Sequence, residues 1–100
     1  MSRFDVYPMP DDGIGYIVDV QADLLDTLTT RTVIPLLPEG HAPSPIADLN
    51  PVFTIGEERH VLITQALASI PRHALKSRIG TLADERDRIT RALDTLLTGF

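Results

Sequence analysis

Three histidines, His41, His60 and His73, are the residues best equipped for metal or proton chemistry in this 100-residue chain. A zinc site needs three or four converging thiolate, imidazole or carboxylate donors. The histidines have no metal-ligand spacing, and the absence of cysteine removes thiolates altogether. His41 falls in a proline-rich stretch, His60 at the start of an apolar run and His73 just after Pro71, so all three are expected at the surface. Cleaving RNA would need a general base, a general acid and a cation near the scissile phosphate. Arg31, Glu58, His60 and Arg72 are the available parts, but no motif ties them together, and they read as solvated charge. Ser44 and Ser69 lack the Gly-x-Ser-x-Gly setting of a hydrolase nucleophile. Gly13-Ile14-Gly15 lacks the third glycine and the following helix of a dinucleotide fold. No catalytic residue, metal ligand or cofactor is expected.

Apolar residues in polar company are more informative. Leu24-Leu25 lies between Asp23 and Asp26. The pair is either core or an exposed anchor in a protein interface. The chain ends Leu96-Leu97-Thr98-Gly99-Phe100. Leu96 continues a helical core stripe, whereas Leu97 and Phe100 need not. An aromatic past a helix-stopping glycine is costly to leave in water. It folds back on the core or buries in a partner chain, and the partner is the preferred reading.

Composition sets the frame for these residues. Hydrophobic residues make up 43% and charged residues 23%, ordinary for a globular chain, and the length suits one domain over 1–100. The lack of cysteine fits a reducing compartment. The start, Met1-Ser2-Arg3-Phe4-Asp5, has no apolar h-region, so no signal peptide is expected. The most apolar stretch, Val33 to Leu37, is far shorter than the roughly 18 residues of a membrane span. A soluble, cytoplasmic protein with no membrane contact is the expectation. The net charge of -5 argues against non-specific nucleic-acid binding. That charge is uneven: residues 1–58 hold two basic and ten acidic side chains, residues 59–100 seven and four. Such a distribution is either incidental or a bipolar surface that orients a charged partner.

Several short strands and one helix must position these groups. Arg3 to Met9 begins with strand-like alternation, with Phe4 and Val6 on one face, and Pro8 to Gly13 reads as a mobile loop. Gly15 to Val20 reads as an antiparallel partner strand, while Asp23 to Thr30 is ambiguous between helix and loop. Thr32 to Leu37 is a third strand in which Pro35 should mark an edge or a bulge. Pro38 to Pro45 reads as a loop or excursion. Val52–Ile55 and His60–Ile63 form a hairpin turning at Gly56 in about three to five residues. Thr64 to Ile70 reads as a further short strand ended by Pro71. A C-terminal helix starts at Thr81, whose hydroxyl can cap the Asp84 N–H. Leu82, Ile89, Leu93 and Leu96 form its apolar stripe. Asp84–Arg88 and Asp87–Arg91 have i,i+4 pairing distance, and Gly99 stops the helix. Strands followed by one long helix indicate an α+β fold.

The residues also resemble a known family. The segments are Val18-Asp19-Val20-Gln21-Ala22-Asp23 with Asp26-Thr27, Val33-Ile34-Pro35-Leu36, Pro51-Val52 with Ile55-Gly56-Glu57-Glu58, Ala68-Ser69-Ile70-Pro71, and the helix ending in Gly99-Phe100. On these the chain resembles the CcdB toxin family, the toxin half of type II toxin–antitoxin pairs. The resemblance implies an SH3-like five-stranded antiparallel barrel, a small accessory sheet from the excursion between strands three and four, and a C-terminal helix. It implies a homodimer with helix ends side by side, which would place Leu96, Leu97 and Phe100 in the dimer interface. It implies poisoning of DNA gyrase, without catalysis, by binding the A subunit and trapping cleaved DNA. It further implies neutralisation by a cognate antitoxin and operator binding only through the antitoxin complex. Carried over residue by residue, the gyrase contacts are Leu24, Leu25, Asp94, Leu97, Thr98, Gly99 and Phe100. The chain departs from the family's well-known toxin at three of them: that toxin has Asn at the position of Asp94, Phe at Leu97 and Trp at Thr98. Tryptophan is among the commonest hot-spot residues.

Overall fold

The computed structural model describes residues 1–99. Seven strands are present: β1 (Asp5–Pro8), β2 (Tyr16–Asp19), β3 (Thr30–Pro38), β4 (Val52–Ile55), β5 (Glu58–Leu62), β6 (Ala68–Pro71) and β7 (Gly80–Thr81). They form one antiparallel sheet in the order β4-β5-β3-β2-β1-β7, with β6 beside β3 off that path. The sheet curls into a half-barrel, and helix α1 (Arg86–Thr98) follows it. The class is α+β, as the element order indicates. Beyond the five barrel strands that the resemblance implies stand β6, in the second half of the stretch read as a further short strand, and the two-residue β7, which was not expected. Residues 39–51 contribute a 3-10 turn at Glu39–His41 and otherwise loop, so the strand off the main path is β6 instead.

Both faces of the sheet are covered. Val6, Val18, Ile34 and Leu36 face one way and join Phe4, Val20, Phe53, Leu62 and Leu82, closed by Ile89 and Ala92 of α1. Their chain neighbours Tyr7, Ile17 and Val33 face the other way and pack with Leu75. This is why β1 and β2 are buried almost continuously rather than alternating with solvent.

Pro35 lies in a central strand, not at an edge or bulge. The first half of β3 pairs with β6 (Thr30↔Pro71 to Val33↔Ala68) and its last part with β5 (Leu36↔Leu62 to Pro38↔His60). Pro35 occupies the seam between the two. Its missing N–H therefore falls where no ladder partner stands, while its carbonyl accepts from the Ile63 N–H at 2.9 Å. The β4–β5 hairpin is tighter than expected: Ile55 pairs directly with Glu58, leaving Gly56 and Glu57 as the turn, with Gly56 at φ 65. Residues 10–12 form a 3-10 turn, and so do residues 64–66 before β6.

The helix begins differently from the capping-box expectation. Thr81 Oγ1 accepts from the Ala83 N–H at 3.1 Å, because Ala83–Glu85 first makes a 3-10 turn and α1 starts only at Arg86. The expected i,i+4 pairs are replaced as well. Arg88 bonds Glu85 at 3.0 Å and lies over the Phe53 ring, and Arg91 approaches Asp48 at 3.9 Å. Arg88 also donates to the Val52 carbonyl of β4 at 2.9 Å, so it joins the helix start to the sheet, while Arg91 turns to the loop before β4.

Candidate protein-interaction surface

Between β2 and β3 the chain leaves the sheet and is exposed from residue 22 to residue 30. Asp23–Leu25 forms a 3-10 turn closed by the Asp26 N–H on the Asp23 carbonyl at 3.2 Å. The turn presents Leu24 at 90% exposure, with Leu25 and Leu28 at 45% and 46%. Burying one leucine side chain in a partner is worth about 1.5–3 kcal/mol. Of the two readings of the Leu24-Leu25 pair, exposure holds and core does not.

The loop is held from beneath by a buried polar network. Asp19 and Arg31 are both fully buried, and the Arg31 guanidinium donates to Asp19 Oδ2 from Nε at 3.0 Å and Nη2 at 2.5 Å. The other oxygen of Asp19 accepts from the Gln21 N–H at 3.1 Å. The Gln21 side chain then links both loop stems, donating to the Leu25 carbonyl at 2.9 Å and accepting from the Thr32 N–H at 3.1 Å. Burial pushes the Asp19 carboxyl above its ordinary value, and the Asp5 charge adds to this. The hydrogen bonds and charge of Arg31, with the Gln21 N–H, oppose it. Arg31 Nη1 is buried with no hydrogen-bond partner in the described structure.

Further tethers come from outside the loop. The Arg3 N–H donates to Asp23 Oδ1 at 2.8 Å. Arg72 Nη1 donates to the Asp26 carbonyl at 2.6 Å, and the Arg72 N–H to the Thr29 carbonyl at 2.9 Å.

The helix end is a separate surface. Leu96 is half-buried, Leu97 is 72% exposed, and Asp94 and Thr98 are exposed. Thr98 Oγ1 donates back to the Asp94 carbonyl at 2.6 Å. Gly99 takes φ 81 and its N–H caps the Asp94 and Thr95 carbonyls, so it ends the helix as expected. Phe100 lies outside the described residues. Leu24 and Leu25 on the loop and Asp94 to Gly99 on the helix thus occupy different elements.

The parts considered for RNA cleavage do not converge. Arg31 is consumed by Asp19, and His60 is buried in β5 against the Tyr16 ring, with Nδ1 3.0 Å from the Glu58 carbonyl. Both were expected in solvent, and burial corrects that reading. His41, His73 and Glu58 are exposed, as expected. Among the described residues, no group of three or more His, Asp or Glu could hold a metal ion, and no helix is long and apolar enough to cross a membrane.

Sequence reasoning missed Gln21 and Arg72 as organisers of the loop. A signal existed for Gln21: Asp19 and Gln21 alternate with Val18 and Val20 from the end of β2 into the loop stem, and polar side chains buried there must find hydrogen bonds. None existed for Arg72. The family model described as CcdB protein matches residues 3–99, nearly the whole chain. With that match, the chain belongs to the CcdB protein family, toxins of toxin–antitoxin systems.

Proposed function

We propose that this chain inhibits DNA gyrase by binding the A subunit and trapping its complex with cleaved DNA. The observation that carries the reading is Leu24, almost fully exposed beside Leu25 on a loop tied to a buried ion pair, at the positions where the family resemblance expects an aliphatic gyrase contact. An apolar anchor fixed on a rigid base suits recognition by contact, because little ordering entropy remains to be lost on binding. Asp94, Leu97, Thr98, Gly99 and Phe100 form the second part of the contact. The activity is non-enzymatic and needs no cofactor. The working form is a cytoplasmic homodimer whose interface includes Leu96, Leu97 and Phe100. A cognate antitoxin neutralises it, and the pair binds operator DNA only as a complex.

A second reading is favoured by one observation. At the position of the family toxin's Trp stands Thr98, which has no aromatic surface and whose hydroxyl turns in on the Asp94 carbonyl. On this reading the chain is a family member whose target differs. Incubation with gyrase and supercoiled DNA decides between them. Trapped cleavage that is lost in Leu24→Asp supports the gyrase reading. No trapping by the wild-type chain, with trapping gained by Thr98→Trp, supports the second.

A further inference from the structure

We propose that Arg72 is a positioning residue for the exposed leucines, its guanidinium holding residues 26–28 so that Leu24 and Leu25 stay turned outward. The proposal rests on the reading of those leucines as the gyrase contact, and deepens it. Three exposed leucines on one loop have a hydrophobic incentive to fold inward. The loop's own hydrogen bonds do not prevent this. Leu25 N–H to the Ala22 carbonyl (2.9 Å), Asp26 to Asp23 (3.2 Å) and Leu28 to Leu25 (3.1 Å) are all local turns. They set the loop's internal shape and leave open where it sits against the sheet.

Contacts from outside set its place. Gln21 reaches the Leu25 carbonyl from the loop's own N-terminal stem. Arg3 reaches Asp23 through its backbone N–H. Arg72 reaches the far half: Nη1 donates to the Asp26 carbonyl at 2.6 Å and lies 3.5 Å from the Leu28 carbonyl. It arrives from 46 residues away in sequence, so it ties the loop to an independent part of the fold. Its own backbone is pinned by the N–H bond to Thr29 and by the neighbouring Thr30↔Pro71 pair of β3 and β6. The guanidinium is thus aimed before any partner arrives, and its bond to Asp26 is charge-assisted. A lysine ammonium is a more strongly hydrated point charge on a more flexible stem, so it is held in place less firmly than the planar guanidinium.

The test compares the full-length wild type with Arg72→Ala and Arg72→Lys. Amide hydrogen exchange is read at Leu25, Asp26 and Leu28, with Val18 and Ile34 as sheet references, and binding to purified gyrase A subunit is measured in parallel. Exchange at the three loop amides is expected to speed up about tenfold in Arg72→Ala, with the references unchanged and Arg72→Lys in between. Binding is expected to weaken about tenfold in Arg72→Ala, and by clearly less when Leu24→Ala is already present, because Arg72 acts through the leucines. Unchanged loop exchange would overturn the proposal. Equal acceleration of loop and references would also overturn it, since that is a general loss of stability. Arg72→Lys answers the same question if Arg72→Ala does not fold. Failure of the gyrase reading shows differently: wild type then does not bind the A subunit, or Leu24→Ala leaves binding unchanged. The exchange rates still decide whether Arg72 holds the loop.

Discussion

Arg31 directs Nε and Nη2 to a single oxygen of Asp19, leaving the other oxygen to the Gln21 backbone. Neither side chain is exposed at all. The pair therefore joins β2 to β3 and also fixes the stem from which Gln21 reaches Leu25. Removing one partner strands the other charge in the interior. Asp19→Asn is expected to lower stability by about 3–5 kcal/mol in urea unfolding. Replacing both residues together, as Asp19→Leu with Arg31→Met, is expected to cost markedly less. If the double variant is as unstable as the single one, the stranded charge is not the cause.

Tyr7 lies on the same face of the sheet. Burial pushes its phenol above the ordinary value of 10.0; the Asp5 and Asp19 charges add to this, and Arg31 and Arg78 oppose it. A raised folded value means that the folded state holds this proton more tightly than the unfolded chain. The associated stability is fully present below pH 10.0 and is lost as pH climbs through the raised value. Urea midpoints in the alkaline range should fall less steeply for Tyr7→Phe than for wild type. Parallel slopes would refute this.

Two glycines with positive φ should respond unequally. A Cβ on Gly15 would sit 2.2 Å from the Leu36 carbonyl oxygen, so backbone must move as well as strain. A Cβ on Gly99 would meet nothing within 4 Å, leaving only the left-handed conformation. Gly99→Ala should cost about 1–2 kcal/mol, and Gly15→Ala clearly more, by thermal or urea unfolding.

Helix α1 has a structural face and a free one. Ile89 is fully buried, and Ile89→Ala is expected to cost about 2–5 kcal/mol. Leu97 is largely exposed, so Leu97→Asp should leave monomer stability nearly unchanged while shifting sedimentation from dimer to monomer. A dimer that survives Leu97→Asp would remove this residue from the proposed interface.

The acidic excess over residues 1–58 suits a basic antitoxin segment. Antitoxin affinity should fall strongly between low and high salt as exposed charges are screened. An affinity indifferent to salt would end that reading.

Periodicity and turn chemistry made the elements legible. Strands at Val6, Val18 and Ile34, the hairpin at Gly56 and the helix stopped by Gly99 follow from neighbours a few residues apart. The leucine pair could be noticed in the same way, since two apolar residues flanked by aspartates are odd locally. Local pattern left their exposure open, and it misread Arg31 and His60 as solvated. Whether a charge is buried depends on what lies across the sheet: Asp19 is 12 residues from Arg31, on the neighbouring strand. Arg72 and Asp26 are farther apart still, and only the pairing of β6 with β3 brings them together. Helix and strand preferences are written in short-range sterics and spacing. The loop's support is made of long-range contacts, which exist only once the sheet has closed.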